Sequence, residues 1–170
     1  MELYSGHQWA AIKLPDDKVS VFGNEFMIQT EYNLDSEDEF MHSADLFEIP
    51  KSVGLDVDKD GKFSICESYS SKDRLANHAN LRTYFGHRLL APSKTGSYEE
   101  LKRYDLLFDP DKKVSLKDIF ELYRCRFENS EFCPEDTGAI DVYPIGTEFQ
   151  YTIHVIQTHL DADPKMANVV

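Results

Sequence analysis

The chain has 170 residues, and its 18 basic and 31 acidic side chains give a net charge of −13. Nucleic-acid binding needs a basic stripe that replaces counterions on phosphate, so this charge argues against it, and equally against binding to anionic membranes. No break in composition divides the chain, and its length suffices for one domain with a real core. We therefore predict a single domain over residues 1–170 that binds neither nucleic acid nor membrane.

The chain contains three cysteines, and their number and spacing point to a reducing compartment. Cys66, Cys125 and Cys133 form no C-x-x-C pair, which disfavours a zinc site and a redox dithiol. An odd, low count is typical of proteins without a disulfide framework. No apolar run approaches the length of a membrane span, and the N-terminus lacks the pattern of a signal peptide. These features predict a cytoplasmic protein.

The first thirty residues predict a β-hairpin. Residues 2–14 are rich in aromatic and aliphatic side chains, and the Pro-Asp-Asp sequence at 15–17 has turn chemistry. Residues 18–29 then alternate, with apolar residues on both faces. We therefore expect the second strand to be covered on both sides.

The middle of the chain gives weaker signals. Residues 31–39 are acidic and are expected to form a solvated loop or helix face. Residues 44–55 predict a short helix that Pro50 interrupts. The segment KFSICESYS at 62–70 alternates in its apolar residues and predicts a strand.

Three helices and a final strand complete the pattern. The helices are expected to begin at Asp73, Ser97 and Ser115; the first closes at Pro92, and Glu100 gives the second a capping box. The third carries one apolar stripe at helical spacing, formed by Leu116, Ile119, Phe120, Tyr123 and Phe127. A long central strand is expected over residues 148–160. The order β-β-(α)-β-α-α-α-β predicts an α+β fold.

The segment DVDKDGKFSICE at 56–67 matches the calcium-loop pattern at every specified position. An EF-hand requires Glu67 inside a helix, whereas the alternation after Gly61 predicts a strand, from which Glu67 would not reach the same metal. A solvated acidic turn entering a strand is therefore the favoured interpretation. A cation bound through Asp56, Asp58 and Asp60 alone is the minority alternative.

No complete catalytic set is visible in the residues themselves. The six histidines lack metal-ligand spacing, and the sequence contains neither a glycine-rich phosphate loop nor a G-x-S-x-G elbow. Cys125 lies between two arginines, which would lower its pKa, although a buried, inert thiol is the favoured state. Asn24 follows a glycine inside an apolar strand and must satisfy a polar amide, so it is either structural or part of a polar site.

Four segments, taken in order, resemble the cysteine dipeptidases among the N-terminal-nucleophile (Ntn) hydrolases. GHQWAAIKLPDDKVSVFGNEFMI (6–28) is similar to that family's G-H-x-W-A-A, P-D-D turn and Asn-bearing strand. GKFSICESYS (61–70) resembles its G-x-F-x-F strand. DPDKKVSLKDIFELYRCRFENSEF (109–132) and PIGTEFQYTIHVIQ (144–157) resemble its late helix and the central strand that follows.

This resemblance implies a function and part of a site. The fold would be part of an αββα sandwich, and the substrate a short peptide or dipeptide, with no cofactor. The nucleophile would be an N-terminal cysteine of the mature protein, which lies outside these 170 residues. Asn24 would help to bind the oxyanion. Five residues would line the substrate cleft: His7, Trp9, Thr147, Glu148 and Gln150.

The two ends of the chain are unusual for a native domain. The chain opens almost directly into strand-like sequence and stops among apolar residues, so we expect an internal piece of a longer chain. The resemblance implies that this piece is the middle portion of that chain and is inactive alone, because it lacks the nucleophilic cysteine. Its partners would be the remainder of that chain and, through exposed sheet edges, further copies of itself. Two rival interpretations are a non-enzymatic calcium-binding module and an acidic interaction domain.

Overall fold

The computed structural model consists of helices and short antiparallel strand pairs, and it describes residues 10–14, 16–23, 41–55, 58–59, 62–69, 78–99, 102–139, 142–147, 155–157 and 168–169. The strands are β1 (Ala10–Lys13), β2 (Val19–Phe22), β3 (Asp58–Lys59), β4 (Lys62–Phe63), β5 (Ile156–Gln157) and β6 (Asn168–Val169). The helices are α1 (Glu48–Ser52), α2 (Ile65–Tyr69), α3 (His78–Leu90), α4 (Leu116–Arg124) and α5 (Pro134–Thr137). This mixture of helices and antiparallel strand pairs confirms the α+β prediction at the level of fold class. Among the described residues, the helices lack the length and hydropathy of a membrane span.

The predicted hairpin is confirmed where the structure describes it. β1 and β2 pair antiparallel, with Ala10 opposite Phe22. The Leu14 amide donates to the Lys18 carbonyl at 2.8 Å, and Asp17 takes a left-handed φ of 65°. Aspartate tolerates that conformation better than most residues, so the turn chemistry of the sequence is used as predicted.

Strand β2 is buried on both faces, as expected from its composition. Val19 and Val21 are 2% and 0% exposed, and Ser20, which points the other way, is 4% exposed. Helix α3 packs on this strand so closely that a Cβ on Gly86 would lie 2.6 Å from Cγ2 of Val21. Glycine at this position therefore sets the distance between helix and strand. The surrounding apolar cluster contains Val19, Val21, Leu90, Ala91, Phe108, Val114 and Leu122.

A second, largely aromatic cluster lies along α3. Its buried members are Leu81, Tyr84, Phe85, Tyr104, Cys125, Phe127 and Ile145. Phe85 stacks on Phe127 with ring centroids 4.2 Å apart. Because α3 carries residues of both clusters, it is the central helix of the part of the chain described here. The start predicted for it, Asp73, lies outside the described residues, whereas its end at Leu90 agrees with the prediction before Pro92.

The helix predicted from Ser97 is wrong in the described residues, since Tyr98, Glu99 and residues 102–107 are not helical. Tyr98 and Tyr104 both contact Tyr84, at centroid distances of 5.3 and 5.7 Å. Residues six positions apart in a helix point in different directions, so a helix would not bring both rings to one partner. Aromatic packing has therefore overridden the local capping signal.

The strand predicted over residues 62–70 is wrong beyond Phe63. β3 and β4 form a small hairpin, with Asp58 opposite Phe63, and helix α2 follows at once. Cys66 and Ser68 are buried on this helix. Glu67 is therefore helical, which removes the reason given above for setting it aside as a calcium ligand. Its carboxylate has another partner, however, since Oε1 lies 2.6 Å from Nε of Arg103.

Helix α1 contains Pro50 and is not interrupted by it, contrary to the prediction. Pro50 is the third residue of the helix, where an amide would have no partner within the helix. Its missing N–H therefore costs nothing there.

Helix α4 begins as predicted, but its buried face differs from the predicted stripe. Ser115 accepts a hydrogen bond from the Asp118 amide, and the Asp118 side chain accepts one from the Ser115 amide, forming a capping box. Leu122 is the fully buried residue, whereas Leu116 and Phe120 are 48% and 38% exposed. The helix ends at Arg124, and Phe127 is buried through the loop that follows.

The long strand predicted over residues 148–160 is described only in part. Ile156 and Gln157 form β5 and pair with β6, opposite Val169 and Asn168. The remaining residues of that prediction lie outside the described residues, apart from Val155.

Candidate functional site

The hairpin brings together the two chain segments that lead to the first candidate residues. Ala10, at the start of β1, pairs with Phe22, at the end of β2. In sequence, Trp9 directly precedes this pair and Asn24 follows it after Gly23. Val19 also exchanges two backbone hydrogen bonds with Phe108, of 2.9 and 3.0 Å, so β2 is held from both edges at its start. His7, Trp9 and Asn24 themselves lie outside the described residues.

Among the residues expected to line a substrate cleft, Thr147 is one that the structure describes, and it is half-buried. Glu148 and Gln150 lie outside the described residues. Thr147 directly follows Gly146, where two segments distant in sequence cross. The Gly146 amide donates to the Cys125 carbonyl at 2.8 Å. The Gly146 carbonyl accepts from Nη1 of Arg126 at 2.7 Å.

The crossing requires glycine at position 146. A Cβ there would lie 2.8 Å from the carbonyl carbon and oxygen of Arg124, which belong to rigid main chain at the end of α4. Backbone atoms do not yield as a flexible side chain does, so any other residue would push the two segments apart. Close approach of the two main chains thus positions the segment that carries Thr147.

The Arg126 side chain connects this crossing to helix α5. Its Nε donates to Oε1 of Glu135, on helix α5, while its Nη1 reaches the Gly146 carbonyl. Desolvation alone would raise the pKa of Glu135, but its own backbone N–H and the Arg126 guanidinium together hold that pKa below its ordinary value. The ion pair is solvent-accessible, with side chains 32% and 49% exposed. Exposed pairs of this kind contribute little to stability.

The loop between α4 and α5 is stiffened by its own hydrogen bonds. Phe127 and Asn129 have left-handed φ values of 65° and 58°. The Ser130 hydroxyl donates to the Phe127 carbonyl at 2.6 Å and accepts from the Phe132 amide at 3.2 Å. Because Phe127 is anchored in the aromatic cluster, this loop gives Arg126 a fixed base.

The described cysteines are not arranged as nucleophiles. Cys66, Cys125 and Cys133 are free thiols and all are buried. Burial raises the pKa of Cys125 to about 11 and also raises the pKa of Cys133. At neutral pH both thiols are protonated, and the thiolate is the reactive form. The two arginines beside Cys125 in sequence therefore do not activate it.

His87 is a buried polar residue that has no role in the sequence-based predictions. It lies on α3, 7% exposed, with Nε2 3.0 Å from the Asp105 carbonyl. Since a carbonyl only accepts, Nε2 carries the proton of a neutral imidazole. Burial lowers the pKa of His87 to about 4. A histidine on a helix with apolar neighbours gives no distinctive local pattern, so only the structure identifies this residue.

The residues of the calcium-loop pattern are described only in part. The main chain of Asp58 lies in β3, whereas Asp56 and Asp60 lie outside the described residues. Within the described ranges, no group of three or more His, Cys, Asp or Glu residues is arranged to hold a metal ion. Glu67 is engaged by Arg103, so the twelfth position of the pattern already has a cationic partner.

Comparison with known proteins gives matches along the whole chain. The model of Peptidase family C69 matches residues 1–170. Probable dipeptidase B of Streptococcus pyogenes serotype M1 is 32% identical, over 100% of this chain and 36% of its own length. Probable dipeptidase B of Lactococcus lactis subsp. lactis is 29% identical, over 99% and 37%. Dipeptidase A of Lactobacillus helveticus is 22% identical, over 99% and 36%. The chain thus spans little more than a third of the length of these relatives.

Proposed function

This chain belongs to peptidase family C69, as its resemblance to the Ntn cysteine dipeptidases led us to expect, and we propose that it is part of a dipeptidase that hydrolyses short peptides. The observation that carries the proposal is similarity along the entire chain to proteins named as dipeptidases. Since the chain spans 36% of the first of these relatives, the activity is assigned to the complete protein.

In the proposed reaction, a cysteine thiolate outside these 170 residues attacks the carbonyl carbon of the scissile peptide bond. A tetrahedral oxyanion forms, and its collapse expels the amine of the leaving amino acid, which takes up a proton. Water then hydrolyses the resulting thioester and releases the second product. This chemistry needs no cofactor. The raised pKa values of Cys125 and Cys133 support placing the nucleophile elsewhere.

We assign oxyanion stabilisation to Asn24. Its amide N–H₂ is a neutral donor, suited to a charge that develops only in the transition state. The support for this role is the resemblance of residues 6–28 to the family's segment that contains the Asn-bearing strand. Strand β2 is a rigid element, because it pairs with β1 and, at Val19, with Phe108, and its valines are buried. In sequence, Asn24 is the second residue after this strand.

We assign the substrate cleft to His7, Trp9, Thr147, Glu148 and Gln150. A dipeptide carries an ammonium group and a carboxylate close together, so it requires both acceptors and donors. The Glu148 carboxylate suits the ammonium group, and Thr147 and Gln150 supply neutral donors and acceptors. We further propose that the described hairpin and helices form part of an αββα sandwich in a cytoplasmic protein.

Steady-state hydrolysis of dipeptides by the complete protein tests this function. We expect measurable dipeptidase activity and, in the Asn24→Ala variant, a fall in kcat of about 10²–10³-fold, the usual effect of removing one oxyanion donor. Asn129→Gly is the matched control, because it also removes an amide and glycine accepts the left-handed φ of 58°. That control should keep the kcat of the unmodified protein.

The two parts of the proposal fail separately. Absence of hydrolysis by the folded complete protein, across a panel of dipeptides, would refute the dipeptidase function. Normal kcat in Asn24→Ala, in an active protein, would refute only the assignment of the oxyanion donor.

A further inference from the structure

We propose that Arg126 is a positioning residue, which fixes the main chain at Gly146 and thereby orients Thr147 for binding a short peptide; this inference rests on the proposed function. Arg126 itself is not placed against the substrate. It acts through the Gly146 carbonyl, which accepts from Nη1 at 2.7 Å.

The first support is the geometry of the crossing. The Gly146 amide and carbonyl are both engaged, the amide by the Cys125 carbonyl and the carbonyl by Arg126. The two partners are neighbours in the same loop. With both polar groups of its peptide units held by one rigid segment, Gly146 has little freedom to rotate. Because Thr147 is the next residue, restricted rotation at Gly146 also restricts the orientation of Thr147.

The second support is the way in which Arg126 is held. Nε donates to Glu135 while Nη1 donates to Gly146, so one planar guanidinium bridges two acceptors on different segments. A lysine ammonium lacks this fixed fork and cannot reproduce both directions at once. The use of arginine is therefore explained by orientation rather than by charge alone.

The third support is that the ion pair of Arg126 contributes little to the stability of the fold. Its ion pair with Glu135 is exposed to solvent, and such pairs are screened and weak. The fold in this region is held by the buried rings of Phe85 and Phe127. Removal of the guanidinium should accordingly loosen the Gly146 segment and leave the fold intact.

The test is a comparison of three variants in the complete protein: Arg126→Ala, Arg126→Lys and, as the matched control, Arg124→Ala, whose exposed side chain lies two residues away. For dipeptide hydrolysis we expect Arg126→Ala to raise KM on the order of tenfold with little change in kcat or Tm. Arg126→Lys should be intermediate, and Arg124→Ala should behave as the unmodified protein.

Hydrogen–deuterium exchange of the peptide covering residues 145–147 gives a readout that does not depend on activity. Exchange there should be faster in Arg126→Ala than in Arg124→Ala. Equal exchange and equal KM in these two variants would overturn the proposal, as would a loss of activity that parallels a fall in Tm. If the complete protein hydrolyses no dipeptide, the proposed function fails. The role of the clamp, meaning the hydrogen bond from Arg126 to the Gly146 carbonyl, in peptide binding then fails with it, whatever the exchange result.

Discussion

The imidazole of His87 stacks on the ring of Phe108, with centroids 3.8 Å apart and 24° between the ring planes. Phe108 in turn bonds through its main chain to Val19. The histidine therefore lies on the buried face of the central helix, against the segment that pairs with β2, where a positive charge is poorly solvated. Its pKa of about 4, against 6.5 for the free side chain, follows chiefly from this burial.

Acidification should destabilise the protein through His87. In the unfolded state His87 takes up a proton near pH 6.5, and in the folded state only near pH 4. The contribution of neutral His87 to the free energy of unfolding is therefore fully present above pH 6.5 and is lost as the pH falls towards 4. Between pH 7 and pH 5 the expected loss is roughly 2 kcal/mol. Urea unfolding at both pH values, compared with His87→Gln, measures it. An equal pH dependence in the two proteins would contradict the assignment.

Gly86→Ala should destabilise the contact between α3 and β2. The new Cβ would lie 2.6 Å from Cγ2 and 2.9 Å from Cβ of Val21, which is fully buried. Overpacking of this kind costs about 1–3 kcal/mol. Gly96→Ala is the control, because nothing lies within 4 Å of its added Cβ. Denaturant unfolding should separate the two variants, and similar stabilities would show that the helix shifts freely.

Two leucines of α4 test which face of that helix is buried. Leu122 is 0% exposed, so Leu122→Ala should lower the free energy of unfolding by about 2–5 kcal/mol. Leu116 is 48% exposed, and Leu116→Ala should change it by less than about 0.5 kcal/mol. Both variants remove the same atoms from one helix. The apolar stripe inferred from sequence makes the opposite prediction for Leu116, and a large loss there would restore it.

Glu67→Ala should destabilise the protein by removing the Glu67 carboxylate from the Arg103 guanidinium. The Arg103 side chain is 11% exposed, and Nη2 also donates to the Cys66 carbonyl at 3.3 Å. Loss of a charged partner from a site this buried costs about 1–3 kcal/mol. Glu99→Ala, which breaks the exposed pair with Lys102, is the control and should cost at most about 1 kcal/mol. Equal effects would mean that solvent screens both pairs alike.

The same variant bears on the calcium-loop pattern. If a cation binds through Asp56, Asp58 and Asp60 alone, calorimetric titration with calcium should give the same affinity before and after Glu67→Ala. Asp58→Asn should weaken that affinity. A loss of binding in Glu67→Ala would mean instead that Glu67 leaves Arg103 to complete the metal site.

Sequence reasoning succeeded where the information is local. The hairpin turn at Asp17 and the cap at Ser115 depend on residues within a few positions of each other. It failed where distant packing decides: the rings of Tyr98 and Tyr104 converge on Tyr84, and the predicted helix between them does not form in the described residues.

The candidate site divides in the same way. Asn24 and Thr147 were reached through resemblance to a family, which requires no knowledge of contacts. The clamp of Arg126 on Gly146 joins residues twenty positions apart and has no local signature. The one local hint was a glycine in the otherwise apolar segment before Thr147, and a glycine alone does not reveal which chain crosses it.

The bridge between Val19 and Phe108 has a consequence for how the chain folds. The β1–β2 hairpin closes a loop of a few residues, whereas the bridge joins positions about ninety residues apart. Closing so long a loop costs more chain entropy, and non-local contacts slow folding. We therefore expect the hairpin to form early. One edge of β2 then stays unpaired until the segment around Phe108 bonds to Val19. During synthesis, that interval is when the strand is most vulnerable to pairing with another molecule.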